Sequence, residues 1–142
     1  MKRIWVNLLS LMLLCAWPAI ATEPVYSYQP AWVTIEGTLH SISGTTAEGI
    51  RYSFPAILLD RPITVRSASG ESASQPTEQG ISLVQLVLND RMAVEFTRLK
   101  GMRVRVVGTF SHGSREQHRT RLLLTPTSIV RLKESGEPEV GW

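Results

Sequence analysis

The sequence has a single cysteine, Cys15, which lies inside the apolar N-terminal stretch. With no second cysteine the chain can form no internal disulfide. If the N-terminal stretch is removed on export, no thiolate remains, which excludes a cysteine nucleophile and a cysteine-ligated metal. The rest of the chain is nevertheless large enough to bury a core without cross-links.

Long hydrophobic runs are absent except at the N-terminus, where residues 1–21 have the pattern of a signal peptide. A basic start, an apolar segment and a small-x-small motif follow one another: Lys2 and Arg3, residues 8–17, and Ala19-Ile20-Ala21. The apolar segment is too short for a permanent membrane anchor. We therefore predict cleavage after Ala21, a periplasmic or secreted protein, and no stable membrane insertion afterwards. Lipid attachment at Cys15 is disfavoured, because Leu14 stands where a small residue is needed.

Sequence signatures of catalysis are lacking as well. Ser111 stands in TFSHG, which lacks the first glycine of a nucleophile elbow. Asp60, Asp90 and Glu95 are too scattered along the chain for a paired-carboxylate pattern. We predict a non-enzymatic protein with no catalytic residues and no cofactor.

Charge is unevenly distributed along the chain. Residues 22–90 carry three arginines against seven acidic residues, residues 91–133 carry ten Lys or Arg against two, and residues 134–142 carry three glutamates. The corresponding balances are −4, +8 and −3. This pattern predicts either a basic side that attracts an anionic partner or two halves that only solvate themselves.

The exported chain reads as one domain over residues 22–133, followed by a flexible polar tail over residues 134–142. Alternation of apolar and polar residues predicts five strands, and Pro55 marks an edge or a break in the second. These strands cover residues 32–42, 50–65, 81–88, 102–110 and 119–132. The polar, Ser- and Gly-rich segment 66–80 predicts a mobile loop.

One segment has helical periodicity. Met92, Phe96 and Leu99 follow at spacings of four and three and form one apolar stripe. Asn89 or Asp90 can cap the start of the helix by accepting from its free backbone amides. Three strands, one helix and two strands is the element order of the OB-fold. We therefore predict a mainly β, five-stranded, OB-fold-like barrel with one short helix between strands 3 and 4, and a β-sandwich is the alternative.

The segment from QLVLN to LLLTPTSI resembles a bacterial family known as domain of unknown function 4431. The family has a strand ending in QLVLN, a short helix, an alternating strand ending in GTLFH, a His-rich turn and the block LLTVTSI. The resemblance implies a small, secreted, β-barrel-like domain, and it implies no activity. His112, His118 and Thr120 match the family pattern. Where the family has neighbouring histidines, this chain has other residues, namely Ser114, Arg115, Glu116, Gln117 and Arg119.

The departures from the family pattern bear on metal binding. His112, His118 and Glu116 are the available ligands around the turn, and His40 lies elsewhere in the chain. Tight zinc sites use three or four well-placed ligands. Weak metal binding by His112 and His118 is therefore a minor alternative, and we predict no metal site.

A basic site for an anionic ligand is the stronger hypothesis. Its predicted residues are Arg103, Arg105, His112, Arg115, His118, Arg119 and Arg121. Arginine forks suit phosphate and carboxylate, and the loop between strands 4 and 5 often contacts ligands in OB-folds. Only Phe110 is close enough in sequence to stack on a base, so nucleic acid is not a predicted partner. The alternative is a charged edge hairpin that only prevents aggregation.

Two classes of function fit these observations. The first is an exported binding module that contacts a protein or an anionic envelope ligand through the basic hairpin between strands 4 and 5. The second is an inhibitor or immunity-type protein that blocks a partner enzyme with the same surface. Steep salt dependence would favour an anionic ligand, and a defined complex burying on the order of 1,600 Å² would favour the inhibitor.

Overall fold

The computed structural model describes residues 22–115 and 117–140. The predicted signal peptide and Glu116 therefore lie outside the described residues. The described chain forms six strands and one helix: β1 (Val25–Ser27), β2 (Val33–Thr45), β3 (Arg51–Arg66), β4 (Glu78–Leu86), α1 (Asp90–Leu99), β5 (Arg103–His112) and β6 (Leu122–Arg131).

Strands β2 to β6 close into a barrel. The sheet order is β1-β3-β2-β5-β6-β4, and a further pairing of β3 with β4 completes the circle. The barrel neighbours are antiparallel except for β4 and β6, which run parallel at Gln85↔Leu123 and Leu86↔Leu124. This confirms the predicted mainly β, OB-fold-like barrel, and the closed circle rules out the sandwich alternative.

The helix α1 lies between β4 and β5, which are the fourth and fifth strands of the chain. The predicted position between strands 3 and 4 is off by one in this count because β1 was not predicted. Among the five barrel strands alone, the helix follows the third. The Asn89 side chain accepts a hydrogen bond from the Met92 amide at 2.9 Å, as expected for the N-cap. The predicted stripe of Met92, Phe96 and Leu99 is buried.

The second predicted strand is continuous as β3, and Pro55 does not break it. Pro55 faces Ser41 of β2, and the pairing with β4 begins one residue later at Ala56. Pro55 therefore lies where β3 has β2 on one side and no β4 ladder on the other, which is where a residue without an N–H is tolerated. The glycines Gly37 and Gly108 allow close strand approach, because a Cβ at either would collide with a backbone carbonyl of the neighbouring strand.

Two elements close the ends of the barrel. The helix covers the end where β4 leads into β5, and Tyr28 fills the opposite end with 2% of its surface exposed. The Tyr28 hydroxyl donates to the Pro76 carbonyl at 2.6 Å. Burial, assisted by the nearby Glu78 carboxylate, raises the pKa of Tyr28 to about 12.

The chain segments outside the barrel are short. The loop between β3 and β4 covers residues 67–77, so it is shorter than the predicted segment 66–80. Residues 133–139 turn back on β6, where the Glu139 amide donates to the Arg131 carbonyl at 2.9 Å. The flexibility of residues 134–142 stays a prediction. Among residues 22–115 and 117–140, no helix has the length and apolar character needed to cross a membrane.

Candidate binding site at the β5–β6 loop

Residues 113–121, the β5–β6 loop, are anchored to β4 by Gln85. The buried Gln85 side chain accepts a hydrogen bond from the Arg119 amide at 2.7 Å and donates to the Gln117 carbonyl at 3.4 Å. Its backbone amide donates to the Thr120 hydroxyl at 3.0 Å. Gln85 pairs with Ala56 on β3 and Leu123 on β6, and all three side chains point out of the barrel. The loop is therefore held across the outer face of the barrel.

His118 is part of the internal structure of this loop. Its Nδ1 accepts hydrogen bonds from the amides of Ser114 and Arg115, both at 3.0 Å. The His118 amide donates back to the Arg115 carbonyl at 2.9 Å. An imidazole that accepts at Nδ1 must be unprotonated there, so His118 acts as the acceptor that closes the turn.

The anchored loop holds Arg119 against an aromatic ring. The Arg119 guanidinium carbon lies 4.1 Å from the centroid of the Tyr52 ring, within cation–π range. Tyr52 in turn stacks on Phe54, with ring centroids 6.3 Å apart and planes at 19°. Gly44 lies opposite Tyr52, and a Cβ there would collide with the Tyr52 ring. The glycine therefore makes room for the tyrosine on which Arg119 rests.

A shallow depression adjoins this contact. It has a volume of about 590 Å³ and lies along the end of the β2–β3 hairpin. Its lining is polar apart from the tyrosine ring: Ser43, Gly44, Thr45, Arg51, Tyr52 and Ser53. Hydroxyl groups and a second guanidinium, that of Arg51, lie at this end of the hairpin, although Arg51 points to the strand face opposite Tyr52 and Arg119. Guanidinium and hydroxyl groups of this kind suit a ligand that presents an oxyanion.

A second group of charges lies at the base of the loop. The Glu78 carboxylate is 10% exposed and contacts His112 Nε2 at 3.3 Å and Arg121 Nη1 at 3.2 Å. Glu78 begins β4, His112 ends β5, and Arg121 precedes β6. Because Glu78 is buried, two cationic or donor partners offset the cost of keeping its charge away from water. Arg121 remains 71% exposed beyond this contact.

The structure brings together only part of the predicted site. His112, Arg115, His118, Arg119 and Arg121 lie on or beside the β5–β6 loop. The remaining two predicted residues, Arg103 and Arg105, lie at the other end of β5.

About 30 Å of strand separates the two ends of β5. Arg103 donates from Nε and Nη2 to Asp60 Oδ2 at 2.9 and 2.6 Å, and the hydrogen bond raises the pKa of Arg103 above its ordinary value. Glu36 lies 3.5 Å from Arg103 and 3.6 Å from Arg105. These two arginines are therefore paired with acids and do not join the loop residues in one site.

Phe110, the aromatic residue nearest the loop arginines in sequence, is not available for stacking on a ligand. Phe110 is fully buried and packs edge-on against Tyr26 at 6.1 Å. Tyr52 is the aromatic residue beside the loop, and sequence reasoning missed it together with Gln85. The alternation in RYSF places Tyr52 and Phe54 on one strand face, which is the signal that could have revealed the pair.

His112, at the end of β5, and His118, in the loop, contact different partners. His112 contacts Glu78, and His118 contacts backbone amides of its own loop. The part of the chain that the structure describes contains no group of three or more His, Cys, Asp or Glu residues that could hold a metal ion. Glu116, the third ligand considered, lies outside the described residues.

Comparison with known proteins gives no family. No model of a known protein family matches the chain. A search of curated proteins also finds no match. The resemblance to domain of unknown function 4431 therefore stays a prediction.

Proposed function

We propose that the protein is an exported, non-enzymatic binding module that contacts an anionic group of a protein or envelope ligand through the β5–β6 loop. The proposal includes removal of residues 1–21 by signal cleavage. The observation that carries it is the fixed position of Arg119, whose amide is held by Gln85 and whose guanidinium rests on Tyr52. A guanidinium that is already held in place loses less side-chain entropy when it binds phosphate or carboxylate.

The surroundings of Arg119 support an anionic ligand. Arg51 and the hydroxyl-bearing residues of the depression lie at the same end of the β2–β3 hairpin as Tyr52. Arg121 is anchored by Glu78 yet largely exposed. Such a surface attracts an oxyanion by charge and orients it by hydrogen bonds.

The test is a pull-down from envelope extract with the purified protein and with Arg115→Ala/Arg119→Ala/Arg121→Ala. We expect the triple variant to lose the captured partner, and we expect capture by the native protein to fall steeply as salt is raised. A matched control is Arg91→Ala/Arg98→Ala/Lys100→Ala, which removes the same charge from the helix α1 region and should leave capture unchanged.

Two outcomes would count against the proposal. Equal capture by the loop variant and the native protein would remove the β5–β6 loop from the contact surface. Loss of capture in both variants alike would show that net charge, and no particular site, governs the interaction. A stoichiometric, salt-resistant complex with an enzyme that loses its activity would instead favour the inhibitor alternative.

A further inference from the structure

The strand β3 changes its neighbour along one edge, and this leaves a fork in the sheet. Its ladder with β2 ends at Leu59↔Gly37, and from Thr64 onward it pairs with β1. Residues 33–36 of β2 continue past the fork and pair with β5 on their other edge. Their edge toward β3 has no strand partner among the residues that the structure describes.

The unpaired edge offers backbone hydrogen bonds. Alternate residues of a strand direct their N–H and C=O to the same side, so two of residues 33–36 direct both groups into the fork. Such an edge is a template for another strand. Four residues at about 3.3 Å each span roughly 13 Å. This length accommodates an extended segment of about four residues.

A cavity of about 290 Å³ occupies the fork. Its lining is mainly polar, with apolar surface from Ile35, Leu59 and Ile63, and Pro24 and Tyr26 form the wall on the β1 side. The polar residues are Thr34, Glu36, Asp60, Arg61 and Arg103. The volume lies just below the range of ordinary small-molecule pockets, roughly 300–1,000 Å³. Beside an unpaired strand edge, a cavity of this size fits one side chain that projects from an added strand.

An exposed aromatic residue lies next to the fork. Trp32 immediately precedes β2 and is 66% exposed. Thr34, two residues further on, lines the cavity. Tryptophan, like tyrosine and arginine, is enriched at the centres of protein–protein contacts. Its exposure beside an unpaired edge indicates a surface that a partner protein covers.

The charges around the cavity favour an acidic partner. The two acids that line it, Glu36 and Asp60, are both engaged by Arg103. Arg61 also lines the cavity, and it forms no ion pair within the described part of the chain. A carboxylate on the partner would therefore complement Arg61.

We propose that this fork binds an extended, acidic peptide segment of another protein, which adds as a strand to residues 33–36 of β2. One side chain of the segment enters the cavity, and a neighbouring carboxylate pairs with Arg61. The site is separate from the β5–β6 loop, so it does not depend on the function proposed above.

Two capped peptides serve as probes, acetyl-Thr-Val-Glu-Val-Glu-Val-amide and the same sequence with lysine in place of glutamate. Each is titrated into nitrogen-15-labelled protein while the backbone amide signals are followed. We expect the glutamate peptide to shift the signals of residues 33–36 and the lysine peptide to bind more weakly.

Two variants test the contacts. Arg61→Glu should weaken binding of the glutamate peptide by about three- to tenfold and improve binding of the lysine peptide. Trp32→Ala should weaken binding of the glutamate peptide by about tenfold or more.

The control variant is Arg66→Glu, which makes the same charge change at another exposed position of β3 and should leave both peptides unaffected. Trp32 and Arg61 are exposed, and an unchanged melting temperature confirms that their variants fold. The proposal is overturned if neither peptide shifts residues 33–36 at millimolar concentration, or if Arg61→Glu leaves the peptide preference unchanged. Shifts confined to the β5–β6 loop would also overturn it, while supporting the function proposed above.

Discussion

Gln85 determines the position of the basic loop through one side chain and one backbone amide. Its three hydrogen bonds reach residues 117, 119 and 120, and its side chain is buried beneath them. A glutamine in the apolar run ISLVQLVL has no obvious local role. Its role depends on the barrel closure that brings β4 beside the loop after β5. The strand itself was predictable from the sequence, whereas the function of its one buried amide was not.

We expect Gln85→Ala to lower the free energy of unfolding by about 1–3 kcal/mol, because the Arg119 amide loses its side-chain acceptor beneath the loop. Urea unfolding measures the loss. Gln79→Ala, at an exposed position of the same strand, should change stability by less than about 0.5 kcal/mol. Equal effects of the two substitutions would mean that the buried amide does not anchor the loop.

Tyr28 makes stability depend on alkaline pH. Its folded-state pKa is raised from the ordinary 10 to about 12. Below pH 10 the phenol is protonated in both the folded and the unfolded state, so its contribution to the free energy of unfolding is fully present. Between pH 10 and 12 the unfolded state ionises first, so this contribution is lost as pH rises through the folded pKa, to a total of about 2–3 kcal/mol at 1.36 kcal/mol per unit.

The measurement is the unfolding free energy of the native protein minus that of Tyr28→Phe across pH 9 to 12. We expect the difference to be constant up to pH 10 and then to decline. The phenylalanine variant also loses the hydrogen bond to Pro76, which lowers its stability at every pH without adding a slope. A flat difference for Tyr28→Phe would show that the phenol is not desolvated.

Secondary-structure elements differ in how far the sequence reveals them. The helix α1 was predictable because its cap and its buried stripe, Met92, Phe96 and Leu99, are local features. The strand β1 was not, since three residues are too few to show a period and its parallel pairing with β3 depends on a distant register. The same holds for the contact of Arg119 with Tyr52, which joins two segments far apart in sequence.

The β5–β6 loop gives a prediction at this scale. His118→Ala removes the acceptor for the amides of Ser114 and Arg115, so both should exchange hydrogen faster. We expect at least a tenfold increase in their exchange rates, which corresponds to about 1.4 kcal/mol of lost local protection. Exchange at the Gly113 amide, which donates to the Arg121 carbonyl, should change less. Unchanged exchange at residues 114 and 115 would show that the imidazole does not hold the turn.

Over the whole molecule, the barrel topology interleaves the two halves that differ in charge. Acids of the first half stand beside bases of the second, because β2 pairs with β5 and β4 pairs with β6, and the Asp60 side chain on β3 reaches Arg103. The cross-half pairs are Glu36 with Arg103 and Arg105, Asp60 with Arg103, and Glu78 with His112 and Arg121. Three of the ten Lys or Arg residues of the segment 91–133, namely Arg103, Arg105 and Arg121, are paired with acids of residues 22–90 in this way. The uneven distribution of charge along the chain is therefore partly evened out in the fold.

This interleaving predicts a compensating charge exchange. Asp60→Arg places a cation beside Arg103, and Arg103→Asp places an anion beside Asp60 and Glu36, so each single variant should lose stability through like-charge repulsion. The double variant Asp60→Arg/Arg103→Asp should recover part of that loss, because it restores opposite charges across the strands. Urea unfolding at low and high salt measures the coupling between the two positions, which should shrink as salt screens these partly exposed groups.

The control is the reversed pair Glu95→Arg/Arg98→Glu, which lies within the helix α1. It should show its own coupling energy, and its effect on stability should add to that of the Asp60/Arg103 exchange. Strictly additive losses at Asp60 and Arg103 would mean that the two side chains do not interact in solution.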